Sequence, residues 1–181
     1  TLVGDAFDPV FFGIFGVQKR VPVVASIAAS FGGLGSLENR HEERLRRLID
    51  NVDYLSVRER EAAEYLTQLT DRSVSVVPDP VFLREDYDSL IKTAPARSGR
   101  YILVFVLQES TRVLQIANHY KKHFGVEVVF ANPSLGYLLR GEKCDYPSPE
   151  RWLSLIKNAE LVITNSFHAT AFSILLQSNF V

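Results

Sequence analysis

The run Tyr101-Ile102-Leu103-Val104-Phe105-Val106-Leu107 is apolar at every position. A strand with one wet face alternates polar and apolar residues. A continuous run of this length belongs to a strand covered on both faces, as in a parallel sheet flanked by helices. The residues downstream agree. Residues 110–124 put Val113, Ile116, Ala117, Tyr120 and Phe124 on one side of a helix, with Lys121, Lys122 and His123 in its last turn and Gly125 as its C-cap. Residues 126–130 predict the next strand. Ser148-Pro149 caps and starts a helix holding Trp152, Leu155, Ile156 and Ala159. Residues 161–164 form another strand, and residues 169–177 a largely apolar, buried helix.

Upstream of the run the same alternation holds. Residues 21–25 (VPVVA) are rich in β-formers and pass into a glycine cluster at Gly32, Gly33 and Gly35. Residues 38–51 are charged and helical. Leu45, Leu48, Ile49 and Val52 fall on one face, while Glu42–Arg46 and Glu43–Arg47 are i,i+4 pairs on the other. A short strand is predicted at 54–57, a helix at 59–69 with Ala62, Tyr65, Leu66 and Leu69 buried, and a strand at 74–77. Pro78-Asp79-Pro80 closes that strand, since proline cannot continue a central one. Residues 84–100 lose periodicity and gather Lys, Pro, Ala, Ser and Gly. This places a linker at 91–100 between one domain over 1–90 and another over 101–181. The fold class is therefore α/β, as two Rossmann-like parallel-sheet domains. Open α/β sheets bind ligands at the carboxyl ends of their strands, so a cleft is expected between the domains.

Composition narrows the function. The chain has 181 residues, 46% of them hydrophobic, and its 20 basic and 21 acidic side chains leave a formal charge of −1. No basic field is present to hold nucleic acid. The single Cys144 excludes an internal disulfide. No apolar stretch approaches the ~20 residues that span a bilayer. The expected setting is cytoplasmic, with no more than a peripheral association with the membrane. The chain starts at Thr1, lacks Met and stops at Asn179-Phe180-Val181, so it reads as an excerpt of a longer protein. No Cys/His spacing suggests a structural zinc, and no metal or cofactor is expected. His41, His119 and His123 sit on charged helix faces and read as solvated, and the glycine cluster lacks both the dinucleotide and the nucleotide-triphosphate pattern.

Two strand-to-helix turns carry the candidate chemistry. In Thr164-Asn165-Ser166-Phe167-His168, Asn165 or Ser166 is the N-cap, and Thr170 follows one turn on. Free N–H groups and a partial positive charge make such a helix start a seat for phosphate or carboxylate. An anion bound there would favour a charged His168. The plain alternative is that Asn165 and Ser166 only cap and His168 only packs. In Ser56-Val57-Arg58-Glu59, Ser56 and Glu59 have capping-box spacing, and Arg58 and Arg60 would lie in the first turn, opposing the dipole unless an anion offsets them. Arg presents a planar fork suited to such an anion. The alternative is an Arg58 folded back onto Glu61 or Glu64. Asp79 reads as a turn former.

Four segments in this order, VPVVASIAASFG (21–32), LSVREREAAEYL (55–66), VSVVPDPVFLR (74–84) and NAELVITNSFHATAFSILL (158–176), resemble the polysaccharide pyruvyl transferases. The resemblance covers most of the chain and rests chiefly on Asp-Pro-Val-Phe and Asn-Ser-Phe-His. The loop at residues 4–9 lacks the Ser and Trp of the family's corresponding loop. The resemblance implies a glycosyltransferase-B-like fold and transfer of pyruvate from phosphoenolpyruvate to a sugar diol as a ketal, releasing phosphate. The acceptor would be a sugar or a lipid-linked oligosaccharide of a cell-surface polysaccharide. It implies that His168 contacts the donor, with Asn165, Ser166 and Thr170 beside it. Where other branches carry Arg near that His, this chain has Phe167, and Arg58 is the match to a donor-binding Arg. Asp5, Asp8 and Glu59 all stay open as the base. A rival on the same fold is a glycosyltransferase using a sugar nucleotide, which would need a ribose-binding carboxylate and a base-stacking pocket.

Overall fold

A computed structural model describes residues 23–32, 39–95, 97–107, 111–131 and 144–181. Its contacts divide the chain into two units, Thr1–Pro80 and Val81–Val181. Both are α/β with parallel strand pairing.

In the first unit, α1 (Asn39–Ile49), β1 (Ser56–Val57), α2 (Arg60–Thr70) and β2 (Ser75–Val76) follow in order. β1 pairs parallel with β2. On its other side, Ala25 and Ala29 bridge in parallel to Tyr54 and Val57. Leu45, Ile49, Val57, Ala62, Ala63, Leu66 and Leu69 form one buried cluster. The apolar stripes of both helices thus meet as their periodicity dictates. Glu43 pairs with Arg47 at 3.4 Å, whereas Glu42 accepts from the Tyr65 hydroxyl at 3.2 Å and so joins α1 to α2.

The second unit holds α3 (Asp88–Ile91), β3 (Tyr101–Phe105), α4 (Thr111–Phe124), β4 (Glu127–Ala131), β5 (Cys144–Asp145), α5 (Pro149–Lys157), β6 (Leu161–Thr164) and α6 (Phe167–Leu175). The strands order β5-β4-β3-β6. β3 is central, which explains its unbroken apolar sequence. Ile102 and Val104 face α4 with Val128, Phe130 and Ile163. Tyr101 and Leu103 face the other way, against Leu155, Ile156 and Val162, with Trp152 and Phe172 packed on them. Helices therefore cover both faces, as the sequence predicts. Gly125 has φ +61° and donates to the Lys121 carbonyl at 2.9 Å, a left-handed C-cap that favours glycine. Ser148 caps α5 by accepting from the Arg151 N–H at 3.4 Å.

Three expectations need revising. The first is the linker predicted at 91–100, because the division falls at Pro80/Val81 instead. Low periodicity at 84–100 hides a short helix, α3, that docks on α5. Lys157 of α5 pairs with Asp88, and the Tyr87 ring meets Phe172 of α6 edge-on at 5.0 Å. The second is α6, which starts at Phe167 rather than 169. It is also not wholly buried, since Phe167 and Ile174 are more than half exposed. The third is the Ser56–Glu59 capping box, which does not form. Ser56 lies in β1, where its hydroxyl donates to the Ser26 carbonyl at 2.7 Å and accepts from the Ala28 N–H at 3.0 Å. Glu59 itself occupies the N-cap position of α2 and makes no side-chain cap bond.

Candidate functional site

The order β5-β4-β3-β6 means that the chain runs outward from β3 on one side and then returns to its other side for β6. The carboxyl ends of β3 and β6 therefore flank a switch point, where open parallel sheets form their ligand crevice. The turn Thr164–His168 lies there. Thr164 Oγ1 donates to the Phe105 carbonyl at 2.5 Å and accepts from the Ser166 N–H at 3.0 Å. Asn165 Oδ1 accepts from the Leu107 N–H at 2.9 Å. These bonds fasten the turn to the end of β3.

Ser166, not Asn165, is the N-cap of α6. It is buried, and its Oγ accepts from the Ala169 N–H at 3.5 Å. Thr170 Oγ1 donates to the Ser166 carbonyl at 3.1 Å. His168 occupies the first turn and is exposed, its ring edge-on to Phe167 at 5.4 Å. Asn165, Ser166, His168 and Thr170 are thus gathered on one helix start, with neutral polar groups and an imidazole at its positive end.

Arg58 belongs to the first unit. It does not enter the first turn of α2, which begins at Arg60, nor does it fold back on Glu61 or Glu64 alone. Its Nη1 pairs with Oδ2 of Asp79, a buried carboxylate at 5% exposure. Asp79 is therefore more than a turn former. Glu59, one of the three base candidates, accepts from the Ser30 hydroxyl at 2.5 Å through Oε1, while its Oε2 is buried with no hydrogen-bond partner among the described residues. The other two, Asp5 and Asp8, lie outside the described residues, as do Gly33, Gly35 and the loop at 4–9. Among the described residues, no group of three or more His, Cys, Asp or Glu side chains could hold a metal ion. No helix among them is long and apolar enough to cross a membrane.

Sequence reasoning missed the Arg58–Asp79 pair and the role of Thr164 in tying the turn to β3. An aspartate held between two prolines at a strand end was the one available signal for the first. The second needed the strand order.

The family model described as polysaccharide pyruvyl transferase matches residues 4–181. None of the curated proteins compared with the chain matches it. Among solved structures, it is similar to the wall teichoic acid polymerase TagF, at 12% identity and a TM-score of 0.47, over 78% of this chain and 40% of that one. It is also similar to UDP-N-acetylglucosamine 2-epimerase from Rickettsia bellii, at 18% identity and a TM-score of 0.43, over 80% of this chain and 46% of that one. The chain spans less than half the length of either.

Proposed function

The chain belongs to the polysaccharide pyruvyl transferase family, a transferase family, and from that premise we propose that it moves pyruvate from phosphoenolpyruvate to a sugar diol of a cell-surface polysaccharide as a cyclic ketal. The match over residues 4–181 carries this reading. The finer architecture, two Rossmann-like domains of the glycosyltransferase-B kind, is part of the same proposal. It is supported by the parallel sheet of the second unit with helices on both faces. The acceptor is a sugar or a lipid-linked oligosaccharide, and the setting is cytoplasmic, where such a donor is available.

The donor carries a phosphate and a carboxylate, so it suits an Arg fork and a helix start. Arg58 and the Asn165–Thr170 helix start are its proposed contacts. Proton transfer to the enol methylene gives C2 cationic character. One sugar hydroxyl adds to C2 and gives up a proton that restores the acid. The C2–O bond to phosphate breaks with its electron pair leaving on phosphate, and the second hydroxyl closes the ketal ring, its proton ending on the phosphate. His168 is the proposed acid for the first step. A positioned acid contributes about 10²–10⁴-fold, and exposure of the ring at a strand carboxyl end leaves it within a ligand's reach.

The test pairs thermal-shift measurement with product analysis. Phosphoenolpyruvate should raise the melting temperature. With a sugar diol present, phosphate should be released in step with a pyruvyl-ketal product. Stabilisation by sugar nucleotides alone, with no phosphate release, would replace this reading with glycosyl transfer.

A further inference from the structure

Asp79 sits between Pro78 and Pro80, just beyond β2. The following proline restricts Asp79 to extended backbone, and the two rings fix φ on either side of it. The direction in which its carboxylate leaves the chain is thus set before any partner arrives. Its side chain is 4% exposed, whereas that of its partner Arg58 is 22% exposed. The pair is lopsided: the anion is buried, and the cation's side chain is partly exposed.

Such burial is strongly unfavourable for an unpaired carboxylate, and the guanidinium beside Asp79 offsets it. The guanidinium gains in turn. Arg carries a long, rotamer-rich chain whose freedom is lost whenever it grips a ligand. Five N–H donors lie in one rigid plane, so a carboxylate at Nη1 fixes the orientation of the whole fork. Since Arg58 leaves β1 directly and Asp79 follows β2, the two paired strands hold both ends of this arrangement.

We infer that Asp79 is a positioning residue, which orients the Arg58 fork so that it meets an anionic donor already ordered. This rests on the donor reading of Arg58 given above. On the donor, Asp79 acts through Arg58, so its loss is felt as weaker donor binding rather than as lost chemistry.

The test combines phosphoenolpyruvate calorimetry, steady-state kinetics and ¹⁵N NMR of guanidinium rotation on the full chain. Asp79→Asn keeps the size and an oxygen acceptor but drops the charge. It should weaken phosphoenolpyruvate binding by about three- to tenfold, the ordering cost of one long side chain. KM should rise by that factor while kcat changes less, and the Arg58 guanidinium should rotate faster. In an Arg58→Lys background, which has no fork to orient, the same substitution should change affinity by less than about twofold. Equal losses in both backgrounds would overturn the inference. So would a wild-type Arg58 guanidinium that rotates as fast as the exposed Arg60, a measurement that needs no variant to fold. If the wild type shows slow Arg58 rotation, released by Asp79→Asn, yet binds no phosphoenolpyruvate, the anchoring stands and the donor reading falls.

Discussion

Replacing Tyr101 with Phe removes one oxygen from a side chain only 1% exposed. That hydroxyl donates to the Leu155 carbonyl at 2.8 Å. Leu155 is among the last four residues of α5, whose carbonyls receive no N–H from their own helix. Deleting the donor strands a buried acceptor, at a cost of about 1–3 kcal/mol. The same group titrates. Burial pushes the phenol up from 10.0 to about 12, while the Arg97 and Arg151 charges pull the other way. The native state therefore keeps this proton to higher pH than the unfolded chain does. Its contribution is complete below pH 10.0 and is lost as pH climbs toward about 12. At about 1.4 kcal/mol per pH unit, the loss across that window reaches roughly 3 kcal/mol. Urea unfolding of wild type and Tyr101→Phe, from about pH 8 to about pH 11.5, isolates this term as the difference between the two proteins. Wild type should lead at the lower end, and its lead should shrink above pH 10.0, by up to about 2 kcal/mol at the top of the series. A lead that stays constant across the series would refute a phenol that is both buried and bonded to α5.

Three further outcomes concern the turn. His168→Gln should lower kcat for phosphate release about 10²–10⁴-fold with little change in melting temperature, because the side chain is exposed. Ser166→Ala should cost about 1 kcal/mol by loss of the α6 cap, read by urea unfolding, and Ser166→Thr should recover part of it. Thr164→Val removes one donor and one acceptor between the turn and the Phe105 carbonyl. It should cost about 1–3 kcal/mol and raise KM for phosphoenolpyruvate, since of these side-chain ties only the Asn165–Leu107 bond then holds the turn beside β3.

The second unit was the more legible one because its signals are local. A run apolar at every position from Tyr101 to Leu107 is of the kind found in strands covered on both faces, and its first five residues form β3, central in its sheet. Ser148-Pro149 and Gly125 marked helix ends through capping chemistry that acts within a few residues. The helix start after Thr164, with its Ser166 cap, was legible for the same reason. What escaped was long-range. Ser56 has the spacing of a cap, but its hydroxyl is taken by Ser26 and Ala28 on a neighbouring segment. Arg58 finds its partner across two strands, at Asp79, rather than along its own helix. The unit boundary was displaced because polar composition at 84–100 conceals α3, which is held by Lys157 of α5 and, through Tyr87, by Phe172 of α6. Composition reports solvent preference, whereas membership of a unit is decided by contacts.

The position of β3 between β4 and β6 also bears on the order of assembly. Its register pairs Ile102 with Val128 on one side and with Leu161 on the other. The nearer partnership closes a loop that contains little more than α4, while the farther one must wait for a much longer segment to be gathered in. During synthesis or refolding, β3, α4 and β4 can therefore condense while one flank of β3 still lies bare. The histidine-bearing turn arrives with the strand that covers this flank. A chaperone or protease that intercepts the chain before then would meet a sticky, half-built sheet that still lacks this turn.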